Sequence, residues 1–148
     1  MLNCREDILA YTKELVNIES IVNTTGETTI AQSLFQTISS LQYFLNNPES
    51  VVLEKTTDDD QERYNVMAFV KGKKGKSNRT IILMGHIDTV GIDDFNQLKE
   101  HACFPDDLME ALKSEELPTS AKEHLESGDW LFGRGVLDMK SGVASNLY

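Results

Sequence analysis

An apolar run that ends in two ionisable side chains is the feature that most constrains how this chain can fold. Residues 81–84 are all apolar, and His86 and Asp88 follow them two positions apart. A short, continuous apolar run is typical of a strand covered on both faces. Residues two apart in a strand point to the same face. The run therefore predicts a buried central strand that presents an imidazole and a carboxylate at its carboxyl end, where open α/β sheets bind ligands.

Length and charge limit the classes of partner. The chain has 148 residues and a formal net charge of −10, from 14 basic and 24 acidic residues. This length is typical of one domain, and the negative charge argues against binding to nucleic acid or to an anionic membrane surface. Cys4 and Cys103 are far apart and have no C-x-x-C spacing, which favours reduced thiols in a cytoplasmic protein. We therefore expect neither nucleic acid nor a membrane as a partner.

Helical and extended patterns alternate along the rest of the chain. Apolar residues at helical spacing predict helices over residues 8–18 and 30–45, and short β-branched or aromatic runs predict strands over residues 51–56, 64–70 and 130–132. The polar residues 91–127 are weakly helical, and we interpret them as an excursion from the sheet. Together these elements predict the α/β class, with a mixed sheet between two helical layers (α/β/α).

Two glycines near the end of the chain predict a sharp turn that delivers Asp138. Gly133 and Gly135 flank Arg134 in the pattern G-R-G-x-x-D, and tight turns accept glycine readily. A dinucleotide-binding loop is rejected, because Asp138 would stand where the phosphate has to bind. The residues after Asp138 begin a helix that is shorter than the ~12–15 residues an isolated helix needs. We therefore expect a fragment of a longer protein, with an exposed apolar flank that favours self-association.

His86, Asp88 and Asp138 form a candidate metal site. Imidazole and carboxylate groups are common metal ligands, and Asp88 is placed to accept the second ring N–H of His86. A catalytic zinc ion takes about three protein ligands, so His86 and Asp138 alone make an incomplete site. One histidine with carboxylates suits zinc, cobalt or manganese. Glu115 and Glu116 are interpreted as solvated, because neighbouring residues on a helix point in different directions.

Two motifs together resemble a known family. Residues 85–90 (G-H-I-D-T-V) and residues 133–142 (G-R-G-V-L-D-M-K-S-G) are similar to the co-catalytic zinc hydrolases related to peptidase T, acetylornithine deacetylase and succinyl-diaminopimelate desuccinylase. Residues 15–20 (L-V-N-I-E-S) are similar to the start of that family. The long excursion at residues 91–127 resembles the branch of the arginine-utilisation protein RocB.

The resemblance implies a fold and a set of ligands. It implies a zinc-exopeptidase-like fold, of which residues 1–148 would be the N-terminal part of the catalytic domain, without the lid or dimerisation segments. His86 would ligate one zinc ion, Asp138 would bridge two, and Asp88 would orient His86. The peptide bond between Asp138 and Met139 would be cis.

The resemblance also implies a reaction. Such enzymes hydrolyse an amide bond of a small amino-acid-derived or peptide substrate, and the RocB likeness implies a link to arginine degradation. The general base of the family is a glutamate in a Glu-Glu pair downstream of the bridging aspartate. Glu115 and Glu116 lie upstream of Asp138 and cannot supply it. We therefore expect this chain to be inactive alone.

Two other hypotheses stay open. The chain could be a non-catalytic binding or scaffold module that retains the hydrolase fold. Alternatively, His86, Asp88 and Asp138 could bind a single metal ion together.

Overall fold

The computed structural model describes residues 4–75 and 77–148. The helices are α1 (Cys4–Val16), α2 (Gly26–Ser40), α3 (Gln42–Leu45), α4 (Pro105–Leu112), α5 (Thr119–Ser127) and α6 (Ser141–Leu147), with 3₁₀ segments at Pro48–Ser50 and Asp93–His101 and a π-type turn at Val136–Lys140. Strands β1 (Val51–Lys55) and β2 (Tyr64–Ala68) pair antiparallel, with Leu53 opposite Val66. The prediction of mixed helix and strand is confirmed.

Among residues 4–75 and 77–148, no helix combines the length and the apolar character that a bilayer span requires.

The hydrophobic core lies between α1, α2, α6 and one face of the β-hairpin. Its buried side chains are Tyr11, Leu15, Ile30, Leu34, Ile38, Phe44, Val51, Val143 and Ala144. The three that α2 contributes are four residues apart, so they lie on one face of the helix. The helical stripe predicted within residues 8–18 is therefore confirmed, and α6 packs back against α1. The stripe predicted within residues 30–45 is confirmed as far as Ile38, whereas Leu41 and Leu45 are exposed.

The second predicted helix is divided at Leu41. This residue has φ −69° and ψ 141°, which is extended backbone, so α2 ends before it and α3 begins after it. The Ser40 hydroxyl donates to the Thr37 carbonyl at 2.7 Å, a local bond of the kind that competes with the helical hydrogen bonds. The break turns α3 so that Phe44 enters the core.

The apolar run at residues 81–84 is exposed, so the prediction of a strand buried on both faces is wrong for this chain. Ile81 and Met84 expose 86% and 80% of their surface. Among the described residues, β1 and β2 pair only with each other, and the run continues into a single parallel bridge between Ile21 and Thr89. An apolar run is buried in a sheet only where neighbouring strands and covering helices are present. The exposed apolar surface predicted for this chain is therefore present, and this run forms part of it.

Residues 130–132 form no strand, so that prediction is also wrong. No partner strand lies beside them in the described part of the chain. Trp130 instead stacks on His124 of α5, with ring centroids 4.0 Å apart. The weakly helical pattern of residues 91–127 corresponds to the 3₁₀ segment Asp93–His101 and to helices α4 and α5.

Two matched substitutions test this division between core and exposed run. Leu15→Ala removes a side chain that is 1% exposed, whereas Leu83→Ala removes one that is 64% exposed. We expect Leu15→Ala to lower the free energy of unfolding by about 2–5 kcal/mol and Leu83→Ala to change it by less than ~0.5 kcal/mol. Urea unfolding followed by circular dichroism measures both.

Repeating the measurement at several protein concentrations tests self-association. Equal costs for the two variants would show that the run is covered in solution, which contradicts its exposure in the single chain. A dependence of the Leu83→Ala cost on concentration would identify a second copy as the cover.

Candidate metal centre

The structure brings His86 and Asp138 together, although 52 positions separate them in the sequence. His86 Nε2 lies 2.8 Å from Asp138 Oδ1, the distance of a charge-assisted hydrogen bond when the imidazole is protonated. The Asp138 side chain is 86% exposed and the His86 side chain 44% exposed. The two groups therefore meet at the surface, where ions and small molecules can reach them.

Asp88 lies at the other ring nitrogen of His86. Its carbonyl oxygen is 3.1 Å from His86 Nδ1, and its carboxylate Oδ1 is 3.5 Å away. The backbone carbonyl is therefore the nearer partner, which sequence reasoning did not identify. When Nδ1 donates to this carbonyl, Nε2 is the nitrogen that faces Asp138. The role of the Asp88 carboxylate in orienting the ring stays a prediction.

The pKa of His86 is raised above its ordinary value of 6.5. The main cause is the hydrogen bond to the Asp138 carboxylate, which partial burial of the ring opposes and Asp88 assists. The protonated imidazole is therefore favoured in the folded chain. Its contribution to stability is fully present below the pKa of the unfolded state and is lost as the pH rises through the higher folded value.

The segment that carries the imidazole is held by residues that follow α1. The Thr89 N–H donates to the Ser20 carbonyl at 2.8 Å, and the Thr89 carbonyl accepts from the Val22 N–H at 2.9 Å. The Ser20 hydroxyl donates to the Ile87 carbonyl at 2.6 Å. Ser20 is completely buried, so water does not compete for its hydrogen bonds. The motif at residues 15–20 therefore contributes to the placement of the candidate ligand.

Asp138 is carried by a tight turn between Gly135 and Lys140. The Lys140 N–H donates to the Gly135 carbonyl at 2.9 Å, and Gly135 has φ +79°. A Cβ atom at Gly135 would lie 2.6 Å from Thr89 Cγ2 and 3.3 Å from Lys140 Cδ. The missing side chain therefore lets this turn approach the segment that contains Thr89. The peptide bond between Asp138 and Met139 is cis, which confirms what the resemblance implies.

Arg134 joins this turn to the excursion, a role that sequence reasoning missed. Its N–H donates to the Ala102 carbonyl at 2.7 Å, and its Nη2 donates to both carboxylate oxygens of Asp94. Its Cζ lies 5.1 Å from the centre of the Phe95 ring. The Arg134 guanidinium lowers the pKa of Asp94. The pattern G-R-G signals a turn but not this partner, which is forty positions earlier in the chain.

A cavity of about 210 Å³ opens beside the contact between His86 and Asp138. Asp88 and the exposed apolar side chains of Val90 and Leu137 also line it. Sites that bury a drug-sized ligand usually have volumes of ~300–1,000 Å³. This cavity therefore has room for an ion and a small polar group but not for a whole larger substrate.

The donor set does not support a single ion held by all three candidate residues. Asp138 lies at Nε2 and Asp88 at Nδ1, on opposite edges of the His86 ring, so an ion on one nitrogen is remote from the other carboxylate. In residues 4–75 and 77–148, no three or more His, Cys, Asp or Glu side chains are grouped so that they could hold a metal ion. The chain supplies a pair of candidate ligands.

The other acidic and histidine residues of the excursion lie outside the cavity lining. Glu115 accepts a hydrogen bond from Gln97 at 3.1 Å, and His124 stacks on Trp130. Glu116 is exposed as expected, whereas Glu115 is half-buried, and both residues follow α4 and lie outside any helix.

Two glycines provide a matched test of the close approach at the turn. Gly135 (φ +79°) and Gly128 (φ +70°) have similar backbone conformations, but a Cβ atom at Gly128 meets nothing within 4 Å. Gly128→Ala should therefore cost only the backbone penalty of about 1–2 kcal/mol. Gly135→Ala should cost clearly more in urea unfolding, because its methyl group overlaps Thr89. Equal costs would show that the close approach does not exist in solution.

A second test concerns the coupling of His86 to its two carboxylates. Asp138→Asn removes the negative charge at Nε2, so the pKa of His86 should fall. Asp88→Asn leaves the backbone carbonyl in place and should lower the pKa less. NMR titration of the imidazole in metal-free buffer with EDTA measures both values. A larger fall of the His86 pKa in Asp88→Asn would show that the main partner of the imidazole lies at Nδ1. This outcome would contradict the contact between Nε2 and Asp138.

Comparison with known proteins identifies relatives. No protein-family model matches the chain, and no solved structure matches it. Protein RocB of Bacillus subtilis (strain 168) is 39% identical over 146 residues, which are 99% of this chain and 26% of RocB. The uncharacterized protein YqjN of the same organism is 37% identical over 145 residues, which are 97% of this chain and 26% of YqjN.

A third relative matches a shorter region. The N-formyl-4-amino-5-aminomethyl-2-methylpyrimidine deformylase of Halalkalibacterium halodurans is 34% identical over 84 residues, which are 57% of this chain and 15% of that protein. The chain thus spans about a quarter of the length of the two Bacillus proteins. The resemblance to RocB indicated by its motifs is confirmed, and this chain is related to the RocB branch.

Proposed function

We propose that this chain is the N-terminal part of the catalytic domain of a dinuclear zinc-dependent amidohydrolase or peptidase. The observation that carries the proposal is the 2.8 Å contact between His86 Nε2 and Asp138 Oδ1. Two motifs that are far apart in the sequence supply these two groups to one exposed cavity. The kinship with RocB and with a protein named as a deformylase supports membership of a hydrolase family.

The two donor atoms lie somewhat closer together than a bound zinc ion would hold them. Zinc lies ~2.0–2.2 Å from an imidazole nitrogen or a carboxylate oxygen, so a tetrahedral ion holds two such atoms roughly 3.4 Å apart. The observed separation of 2.8 Å is that of a proton-bridged pair. An ion in place of the Nε2 proton would need a small outward rotation of the exposed Asp138 carboxylate, while the backbone turn that carries it stays in place.

Each residue has a distinct role in this proposal. His86 would hold one ion through Nε2, and the Asp88 carbonyl would keep the ring in the required tautomer through Nδ1. Asp138 would use its two oxygens to reach two ions. When bound, the ions would activate water and polarise the carbonyl group of an amide. Cobalt and manganese also suit these ligands.

The exposed apolar surface supports the proposal that this chain is only part of a larger domain. Residues 81–84 have the composition of a central strand but no neighbouring strand among the residues described. In the longer protein they would become part of a mixed sheet in a three-layer α/β/α, zinc-exopeptidase-like domain. The remaining ligands and the general-base glutamate would come from that longer protein, and the chain alone would be inactive.

We also propose the setting in which the longer protein works. Its substrate would be a small amino-acid-derived molecule or peptide, and its kinship with RocB favours arginine degradation. The wide spacing of Cys4 and Cys103 supports a cytoplasmic location. The exposed run supports self-association of the chain.

Calorimetric titration with Zn²⁺ tests the proposed ligands. We expect weak binding by the wild-type chain, because a catalytic zinc ion takes about three protein ligands and the chain supplies two. His86→Ala and Asp138→Ala should abolish the residual binding, and His124→Ala should leave it unchanged as a histidine control outside the cavity lining. Tight stoichiometric binding by the chain alone would contradict the two-ligand site. Unchanged zinc binding by His86→Ala would show that His86 is not a ligand, which contradicts the proposed site.

The longer protein distinguishes an enzyme from a scaffold. A Glu-Glu pair and a late histidine downstream of Asp138, with zinc in the purified protein and hydrolysis of N-acyl amino acids, would support the enzyme. Absence of those residues and of zinc would support the non-catalytic module.

A further inference from the structure

Lys140 is completely buried although it carries an ionisable amine. Its Nζ donates a hydrogen bond to the carbonyl oxygen of Ile18 at 2.7 Å, so its described hydrogen-bond partner is the backbone and not a carboxylate. Burying an ammonium group is costly. A methionine of similar length would fill the same space without that cost. The amine therefore contributes something that packing alone does not provide.

Lys140 lies at the end of the turn that carries Asp138. Its backbone N–H closes the turn on the Gly135 carbonyl at 2.9 Å. Its side chain passes close to Gly135, where a Cβ atom would lie 3.4 Å from Lys140 Cε. The hydrogen bond to Ile18 then ties the closed turn to the end of α1.

The same short segment also holds the partner of Asp138. Ser20, two residues after Ile18, accepts from Thr89 and donates to Ile87 on either side of the His86 segment. Both candidate ligands are therefore attached to residues 18–22 by hydrogen bonds to buried groups. The two attachments therefore share one short segment of the chain.

We propose that Lys140 is a positioning residue for Asp138. Through Ile18 it ties the Asp138 turn to the residues that anchor the His86 segment, so that the carboxylate is held at hydrogen-bond distance from the imidazole. This inference rests on the proposed function, in which Asp138 is a metal ligand. A residue that only filled the core would be replaceable by methionine without any effect on the contact.

Lys140→Met tests the proposal, because it keeps the length of the side chain and removes the amine. The readout is the Nε2–H proton of His86 in metal-free protein at low temperature, at a pH low enough that the imidazole is protonated in every variant. In the wild type this proton should be shifted downfield by its hydrogen bond to Asp138. Asp138→Asn provides the reference chemical shift of this proton when the charged hydrogen bond between His86 and Asp138 is lost. Lys140→Met should move the signal at least half of the way to that reference.

Ile38→Ala provides the control for general destabilisation. Its side chain is buried in α2, a helix whose main contacts are with β1 and β2, so the substitution should lower stability without moving the His86 signal. A Lys140→Met protein that is folded and has the wild-type His86 signal would overturn the proposal.

A measurement on the wild-type chain covers the case in which Lys140→Met does not fold. Acetylation with acetic anhydride should modify the exposed Lys122 at least tenfold faster than Lys140. Equal rates would show that the buried attachment does not exist and would overturn the proposal. Because neither readout uses a metal, a failure of this inference can be distinguished from a failure of the proposed function, which the zinc titration tests separately.

Discussion

The hydrogen bonds made by residues 18–22 are the interaction on which the rest of the site depends. In a complete sheet, the position of His86 would be set by strands on either side of residues 81–84. Here that run is exposed, so its end is located by Ser20 and Thr89. These bonds are effective because Ser20 and Thr89 are buried, and buried polar groups that lost their partners would carry a large desolvation cost. A few shielded hydrogen bonds thus replace the constraint of a sheet.

The candidate metal centre combines buried supporting residues with exposed donors. Ser20 and Lys140 are completely buried, whereas the Asp138 carboxylate is exposed to solvent. An ion can therefore reach the donors without any opening of the core. The excess of acidic residues, with a net charge of −10, creates a field that attracts cations. The same field is unfavourable for anionic partners.

The excursion after residue 90 supports the turn that carries Asp138. Arg134 binds Asp94 and lies over Phe95, and its backbone is tied to Ala102. The excursion therefore supports the turn that carries Asp138. Residues 18–22 make hydrogen bonds to the segments that carry His86 and Asp138. This arrangement explains how a long insertion between the two motifs is compatible with a short distance between them.

The sequence by itself determined which residues are candidates for the site and which helical stripe of α2 faces the core. Ile30, Leu34 and Ile38 repeat at helical spacing, and periodicity is a local property that does not depend on the rest of the fold. The motifs around His86 and Asp138 likewise predicted two candidate ligands and a cis peptide bond. Only the tertiary structure decided that residues 81–84 are exposed, that residues 130–132 form no strand, and that Lys140, Arg134 and the Asp88 carbonyl make hydrogen bonds around the candidate site. The burial of an apolar run and the partner of a buried charge depend on which other segments are present beside them, and no pattern within the segment itself contains that information.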